Sequence, residues 1–384
     1  MPVLALSVHA GFQCRHSGAC CTAGWPIPVE PEIADAIRRH GIVPETALDT
    51  TGRLPDGALA VLAPPAGGAC PAFDGPAGNL CSIQRRLGHE RLPAACRHFP
   101  RVALLEPDAV RVTLSHFCPT AASMLFRPDA ARLAAVPDAP GITDRLEHDG
   151  FDARHTIPPL LRPGVAMDPG TCRLWERSLL DAFEEDARPA EDMLARAAGT
   201  AEEIRGWTAG RDSLEHRAKR ALAAASSRDG EDTRWTMTLS SASRLFLLAV
   251  DAVPAGLVQP VLPGGAEAGD RVWVLPRWAG YSRPLGRYLA ARSFAGWVAY
   301  LGEGLRTQVA MLAVALAAVR VEAVREVLRA SRPLDDDLLH AAVRAADLLL
   351  HHLSDAPTLV RGLAGVERGP WPAFLAAIGL EAAE

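Results

Sequence analysis

Residues 305–330 read LRTQVAMLAVALAAVRVEAVREVLRA. Apolar side chains recur three and four positions apart along this stretch, which is the period of one face of an α-helix. Its longest uncharged apolar run, Val309 to Val319, is too short to span a bilayer, so we expect no membrane span. The stretch therefore predicts a long helix of a globular chain.

The same apolar spacing continues on both sides of this helix. It recurs in the stretches 172–186, 190–198, 201–225, 240–253, 285–301 and 338–353. Between two of these, the stretch 258–278 interrupts the pattern, and its run Arg271-Val272-Trp273-Val274-Leu275 predicts a short strand pair. We predict a mainly α fold in which residues 171–384 form a helical domain.

Length and composition limit the class of protein. The chain has 384 residues, more than one compact domain usually holds, so we expect two parts joined through the Pro-rich stretch 129–170. Hydrophobic residues make up 49% and charged residues 22%, which excludes a disordered chain. The net charge is −5 and no basic tail occurs, so we expect no nucleic-acid partner.

Residues 1–128 have the pattern of a small, irregular α+β module. Pro31 predicts the first turn of a short helix. Residues 50–80 are rich in Gly, Pro and Asp and form a long connection that needs an anchor. Residues 101–106 and 110–116 predict the two strands of a hairpin.

Cysteine is concentrated in this module. Seven of the eight cysteines fall in the first 118 residues, namely Cys14, Cys20, Cys21, Cys70, Cys81, Cys96 and Cys118. The N-terminus has neither a basic segment nor an Ala-x-Ala site before the first cysteine, which indicates a cytoplasmic chain with reduced thiols. Clustered reduced thiols are more often metal ligands than disulfides, so all seven are candidate ligands. The eighth, Cys172, stands alone, and we expect it to be a small buried side chain.

Thiolate is the ligand that structural zinc sites and iron–sulfur clusters share. The spacings are Cys-x5-Cys-Cys and then Cys-x10-Cys-x14-Cys-x21-Cys, with neither a zinc-finger Cys-x2-Cys pair nor the run of bacterial ferredoxins. We therefore expect a metal site assembled from four distant chain segments. The number of thiols favours an iron–sulfur cluster, of the 4Fe–4S type, over Zn2+.

Histidine and arginine accompany the thiols. Four histidines lie in the same region, and for any single one a surface or packing role is more common than ligation. His98 is the best candidate for a further ligand because it lies inside the block Cys-Arg-His-Phe-Pro. The segment from residue 81 to residue 101 contains five arginines but a single acidic residue, Glu90. They either offset the negative charge of a thiolate site, form a solvated helix face or contact an acidic partner.

Ordered sequence blocks carry a family resemblance. They are FQCRHSGACC at 12–21, followed by WPIPV at 25–29, then CPAFD at 70–74, LCSI at 80–83, LPAACRHFP at 92–100 and FCP at 117–119. This order resembles the YkgJ-type cysteine-cluster family, described as a zinc- or iron-chelating domain. The resemblance implies six first-choice ligands, Cys14, Cys20, Cys21, Cys70, Cys81 and Cys96, with Cys118 next. Ser17 stands where the family commonly has a cysteine.

Two alternative functions stay open. The run Cys-Cys-x3-Trp at 20–25, in front of a helical chain of similar size, is similar to flagellin lysine N-methylases. That similarity implies an S-adenosylmethionine-dependent methyltransferase acting on a protein substrate. The other alternative is a non-enzymatic interaction scaffold with a structural zinc site.

Catalytic motifs give no further guidance. The sequence lacks a Gly-rich turn between a strand and a helix, a P-loop, a nucleophile elbow and a His-Glu-x-x-His motif. Asp347 and His351 could together bind a metal, but a solvated face of an amphipathic helix is the more common role for such a pair. We name no catalytic residue.

Overall fold

The architecture is given by a computed structural model, which describes residues 1–52, 54, 57–64, 68–75, 78–128, 133–139, 142, 150–184, 188–227, 234–254 and 257–383. The strands are β1 (Val3–Leu6), β2 (Ile27–Val29), β3 (Leu48–Asp49), β4 (Ala60–Leu62), β5 (Phe73–Asp74), β6 (Leu80–Cys81), β7 (Arg101–Leu105), β8 (Val110–Leu114), β9 (Ala135–Pro137), β10 (Gly150–Asp152), β11 (Leu160–Arg162), β12 (Val165–Ala166), β13 (Trp235–Thr236) and β14 (Glu381–Ala382).

The α-helices are α1 (Pro31–Arg39), α2 (Ser82–Leu87), α3 (Ala94–His98), α4 (Pro119–Leu125), α5 (Pro169–Phe183), α6 (Ala190–Arg205), α7 (Leu214–Ser227), α8 (Leu239–Asp251), α9 (Ala266–Gly269), α10 (Leu275–Trp278), α11 (Ser282–Phe294), α12 (Val298–Leu301), α13 (Leu305–Ala330), α14 (Asp336–Asp347), α15 (Ala356–Leu363) and α16 (Trp371–Ala377). The fold is therefore mainly α, which confirms the predicted class.

The longest helix, α13, has the bounds that its apolar spacing predicts. It lies in the core of the helical body, residues 169–383, and packs against α6, α8, α11 and α14. Side chains on all its faces are buried, as expected for a helix that is apolar all round. In the described part of the chain, α13 alone is long and apolar enough to cross a membrane, and 94% of the window that meets this test is buried inside the protein.

Two buried arginines of the helical body pair with acidic side chains. The guanidinium of Arg320 on α13 bonds both carboxylate oxygens of Asp270, at 2.7 and 3.0 Å. The guanidinium of Arg306, at the start of α13, donates to Glu202 of α6 at 2.7 and 2.8 Å. Such pairing is the usual condition for keeping charge inside a protein.

Two predicted helices are each divided into two. The stretch 201–225 contains the end of α6 and most of α7, and Gly210 between them has a φ of 91°, which a right-handed helix does not allow. The stretch 285–301 contains most of α11 and all of α12, which are separated around Gly296. The predicted helix 172–186 ends at Phe183, and residues 185–187 lie outside the described residues.

The strand pair expected within 258–278 was wrong. This segment forms α9, a π-helical turn over Asp270–Val274 and α10. Its β-branched and aromatic residues favour a strand locally, but helical winding buries Val274 and Trp278 and places Asp270 against Arg320. Tertiary packing therefore outweighs the local preference.

A five-stranded sheet in the described residues joins the N-terminal part to the helices. Its order is β10-β7-β8-β1-β9. The predicted hairpin is confirmed as antiparallel β7 and β8, with Arg101 opposite Leu114 and Leu105 opposite Val110. All five side chains of β8 are buried, and α11 packs against this strand.

The described part of the Pro-rich stretch 129–170 contributes to this sheet. Strand β9 pairs antiparallel with β1, and β10 pairs parallel with β7. Both strands have three residues, which is too short for an alternating pattern to be recognised in the sequence. The stretch predicted as a connection thus supplies both edges of the sheet.

The cysteine region, residues 14–118, has much less regular structure. Two small sheets, β2-β4-β3 and β5-β6, pack with α1 around their own apolar cluster, which includes Ile27, Val29, Ile37 and Leu62. Helix α1 starts at Pro31 as predicted. Cysteine side chains lie at the boundary of this cluster, so the fold of the region and the position of its thiols depend on each other.

Candidate metal centre

Six of the seven predicted cysteines line one cavity of about 710 Å³. They are Cys14, Cys20, Cys21, Cys81, Cys96 and Cys118. The seventh, Cys70, packs in the same apolar cluster as Cys21, Cys81 and Cys96, and its backbone N–H donates to the Cys21 carbonyl at 2.7 Å. The fold therefore brings together thiols that are far apart in the sequence.

Short turns hold the first thiols in place. Residues Ala19–Cys21 form a single 3-10 turn that follows Gly18, whose φ is 74°. A Cβ atom at Gly18 would lie 2.7 Å from the ring of Phe73, so a side chain there would push β5 away from the turn. Glycine is thus needed both for the backbone conformation and for the close approach of the two segments.

The later thiols occupy the ends of regular elements. Cys81 is the last residue of β6, where it pairs with Phe73, and it also precedes the first turn of α2. Cys96 lies within α3, and Cys118 precedes the first turn of α4. Cys70 lies near the end of the 50–80 connection and joins it to the Cys20–Cys21 turn through its backbone bond to Cys21, and Cys81 follows directly after that connection.

Burial controls the protonation of most of these thiols. It raises the pKa of Cys70 to about 11 and also raises the pKa values of Cys81, Cys96 and Cys118. Cys20 is the exception, because its hydrogen bond with Cys21, at 3.9 Å between the sulfur atoms, lowers the pKa of Cys20 to about 7. The pKa of Cys21 is raised correspondingly.

The thiols do not form a closed ligand set as they stand. Every cysteine is free, and within the described residues no three Cys, His, Asp or Glu side chains are grouped closely enough to hold a metal ion. Six of the thiols are instead spread over the lining of the cavity. Ligand binding would thus require these side chains to converge further.

A buried group of polar side chains forms another wall of the cavity and was missed at the sequence level. His351 and His352 line the cavity, and Asp347 behind them is completely buried. The preference for a solvated helix face at Asp347 and His351 was therefore wrong. In the sequence, only the spacing of the two histidines, four and five residues after Asp347, indicated such a group. The burial of these side chains arises from contact with Ser115, which directly follows β8.

The hydrogen bonds of this group determine one histidine tautomer. Ser115 donates its hydroxyl proton to Asp347 Oδ2 at 2.8 Å. Because the hydroxyl has only this one proton, His352 Nε2, which lies 2.8 Å from Ser115 Oγ, must donate to Ser115 Oγ. His351 Nδ1 lies 3.0 Å from the same carboxylate oxygen. His352 therefore has its proton on Nε2 and a free lone pair on Nδ1.

Electrostatics agrees with neutral rings at the cavity. Burial and, to a smaller extent, the neighbouring His351 lower the pKa of His352 to about 4. The pKa of His351 is also lowered, by burial and by Arg292. Burial would raise the pKa of Asp347, but His351, His116 and Arg292 outweigh this effect and lower it. The ring of Trp25 packs on His352, with 4.4 Å between ring centroids.

The histidines expected near the thiols divide into two groups. His16 and His89 line the cavity, and His16 Nδ1 lies 4.0 Å from Cys14 Sγ. His98, the best of the four candidates for a further ligand, is buried and is not part of the cavity lining, which agrees with the packing role that is more common for a single histidine. His116 is buried against His9, with 3.1 Å between their Nε2 atoms.

The arginines between residues 81 and 101 also differ in position. Arg97 and Arg101 line the cavity. Arg85 instead pairs with Asp74 at 2.7 Å, and Arg86 donates to a backbone carbonyl at 2.6 Å. Only part of this basic segment is thus placed to offset negative charge at the thiols.

Comparison with protein-family models, with curated proteins and with solved structures found no match for this chain. The resemblance to the cysteine-cluster family therefore stays a prediction, and the case for a function depends on the site itself.

Proposed function

We propose that this protein binds metal through its cysteine cluster and that the thiolates hold an iron–sulfur cluster of the 4Fe–4S type, with zinc as the second choice. The observation that carries the proposal is the convergence on one cavity of thiols from distant segments of a loop-rich region. Soft thiolate donors in this number suit both metals. The donor set therefore fits the group, although the side chains must approach one another to bind it.

Four thiols form the best ligand set. Cys20, Cys70, Cys81 and Cys96 lie within electrostatic reach of one another and come from separate places along the chain. Cys21 is also within reach of Cys20, Cys70 and Cys81, but it is adjacent to Cys20, with 3.9 Å between their sulfur atoms, so we take one thiol from that turn. Four is also the number of ligands that one 4Fe–4S cluster or one closed zinc site requires. We assign these four as the ligands and place Cys14, Cys21 and Cys118 around them.

The surrounding residues suit a negatively charged centre. A metal lowers the pKa of its thiol ligands, so binding would release protons that burial now holds on Cys70, Cys81 and Cys96. Arg97 and Arg101 on the cavity wall would offset the remaining charge. His352 is bonded to Ser115, which in turn donates to Asp347, and such a chain of bonds commonly orients a histidine at a metal site.

Metal analysis of protein purified without oxygen tests the proposal. We expect iron and sulfide in equal amounts and a broad absorbance at about 400 nm that dithionite bleaches. Cys96→Ser removes an assigned ligand and should abolish this absorbance. Cys172→Ser removes a thiol outside the cavity and should leave it unchanged. Colourless protein with stoichiometric zinc would transfer the assignment to zinc, and protein without either metal would refute it.

Two further roles are compatible with the same centre. A purely structural zinc site in an interaction scaffold is supported by the small apolar cluster of the cysteine region, which leaves long loops to be tied down. Methyl transfer to a protein substrate is tested by incubation with S-adenosylmethionine and lysine-bearing proteins, flagellin included. Transfer that is lost in Cys96→Ser but kept in Cys172→Ser would link such activity to the centre.

A further inference from the structure

A second cavity, of about 370 Å³, lies away from the cysteine cluster. It is enclosed by the β7–β8 hairpin, α5, the α11–α12 segment and the start of α13. Trp175, Phe294 and Tyr300 supply much of its apolar wall, and Cys172 is part of the lining. Its volume is within the range of small-molecule sites.

The polar groups of this cavity carry an excess of negative charge. Arg111 lies between two carboxylates, bonding Glu106 on one side and Glu176 at 2.5 Å on the other. The hydroxyl of Tyr300 donates to Glu106 at 2.5 Å. One guanidinium can neutralise only one of these two carboxylates. The outer pair, Asp108 with Arg173, is exposed and neutral overall.

A donor also lies without a partner in the wall. Gln308 Oε1 accepts the indole N–H of Trp175 at 2.9 Å, which fixes the orientation of the amide. Gln308 Nε2 is then buried, and no acceptor for it exists among the residues that the structure describes. An unsatisfied buried donor is costly, so this atom suits an oxygen of a bound molecule.

Glu176 is the carboxylate of this pair whose charge is most opposed by its surroundings. Burial, with a smaller contribution from Glu106, raises the pKa of Glu176 to about 7 against the opposite effect of Arg111. The charged groups acting on Glu176 are thus Arg111, Glu106 and Asp108. A second cation in the cavity would complete the neutralisation of the two carboxylates around Arg111.

We propose that this cavity binds an organic primary ammonium ion with an apolar, preferably aromatic, body. The ammonium group would donate to Glu176 and Glu106, and the body would contact the rings of Trp175, Phe294 and Tyr300. An oxygen on the ligand would accept from Gln308 Nε2. This site does not depend on the metal centre, since the two cavities share no residue.

Calorimetric titration of the full protein with three matched probes tests the ligand class. 2-Phenylethylammonium should bind, 2-phenylethanol should bind at least about tenfold more weakly, and 3-phenylpropionate should bind most weakly. Equal or tighter binding of the carboxylate probe would refute the proposal. Because binding requires ionised Glu176, affinity for the ammonium should rise about tenfold from about pH 6 to about pH 8.

Variants test the location. Glu176→Gln should weaken binding of 2-phenylethylammonium about tenfold. Glu191→Gln also neutralises a buried carboxylate, but one outside the cavity, and should leave binding unchanged. Ala299→Phe fills the cavity from α12 and should abolish binding, which keeps the test valid if Glu176→Gln fails to fold. Undiminished binding in Ala299→Phe would show that the ammonium binds elsewhere.

Discussion

The cysteine region and the helical body differ in how their buried polar groups are paired. In the helical body, Arg320 and Arg306 each meet a carboxylate at 2.7 Å. In the cysteine region, thiols face one another across a cavity, and burial opposes the charged form of most of them. These two charges of the body are therefore paired within the chain, whereas the thiols of the cysteine region line the cavity in which we propose that a metal binds.

The two regions also differ in the size of their apolar cores. The helical body shares one large core built around α13. The cysteine region has its own small cluster, and the loops around it carry little regular structure. Small, loop-rich modules of this kind usually need a metal or disulfides in addition to their core. The contrast predicts that the two regions respond differently to the same perturbation.

Removal of metal should have the largest effect. Metal binding in such modules is largely folding free energy, on the order of 10 kcal/mol for structural zinc, so its loss should unfold the cysteine region. We expect treatment with ferricyanide and a chelator to expose residues 14–98, which precede the five-stranded sheet's β7–β8 hairpin, to proteolysis and hydrogen exchange. Peptides from α13 should keep their protection. Equal protection of residues 14–98 before and after treatment would contradict the contrast.

Breaking an internal charge pair should have the next largest effect, this time in the helical body. Arg320→Met leaves Asp270 buried without its partner, which should lower the free energy of unfolding by about 3–5 kcal/mol in urea denaturation. The double variant Arg320→Met with Asp270→Leu removes both charges and should regain most of the loss. A single variant as stable as the parent would show that the body does not rely on matched charges.

The smallest of the three effects concerns the unmatched acid of the helical body. The folded-state pKa of Glu176 is about 7 against an ordinary value of 4.5, so the folded protein holds more protons between these pH values. The free energy of unfolding should therefore fall as pH rises from 4.5 to about 7, by up to about 3 kcal/mol.

Glu176→Gln should remove this contribution to the pH dependence. Urea denaturation at several pH values, with parent and variant side by side, measures it. Identical pH dependence in the two proteins would mean that Arg111 fully pairs the charge of Glu176. Glu176 would then be no exception to the pairing of buried charges in the helical body.

Local sequence patterns were sufficient to predict an element when the element is long or when its turn has a clear sequence signal. The bounds of α13 follow directly from apolar residues three and four apart, and the β7–β8 hairpin follows from two β-rich runs around Pro107-Asp108. The segment 266–278 shows the limit of this reasoning. Its composition favours a strand, but burial of Val274 and Trp278 and the bond from Asp270 to Arg320 favour a helix.

The candidate site shows the same division. Order and spacing identified the seven clustered cysteines as one group, because few other roles explain so many thiols in a loop-rich segment. The place of Asp347, His351 and His352 could not be inferred, since a helix with polar residues on one face is normally solvated. Only contact with Ser115, more than two hundred residues away in the chain, turns that face into a wall of the cavity.

Residue identity and spacing alone thus determined that the chain is mainly α, that α13 exists and that the cysteines of the first 118 residues are set apart. Those properties depend on neighbouring residues. Tertiary structure decided which thiols face one cavity, which histidines join them and that a separate acidic cavity forms around Arg111. Burial and charge pairing between distant segments set these features, because both depend on where the chain folds back on itself and not on local order.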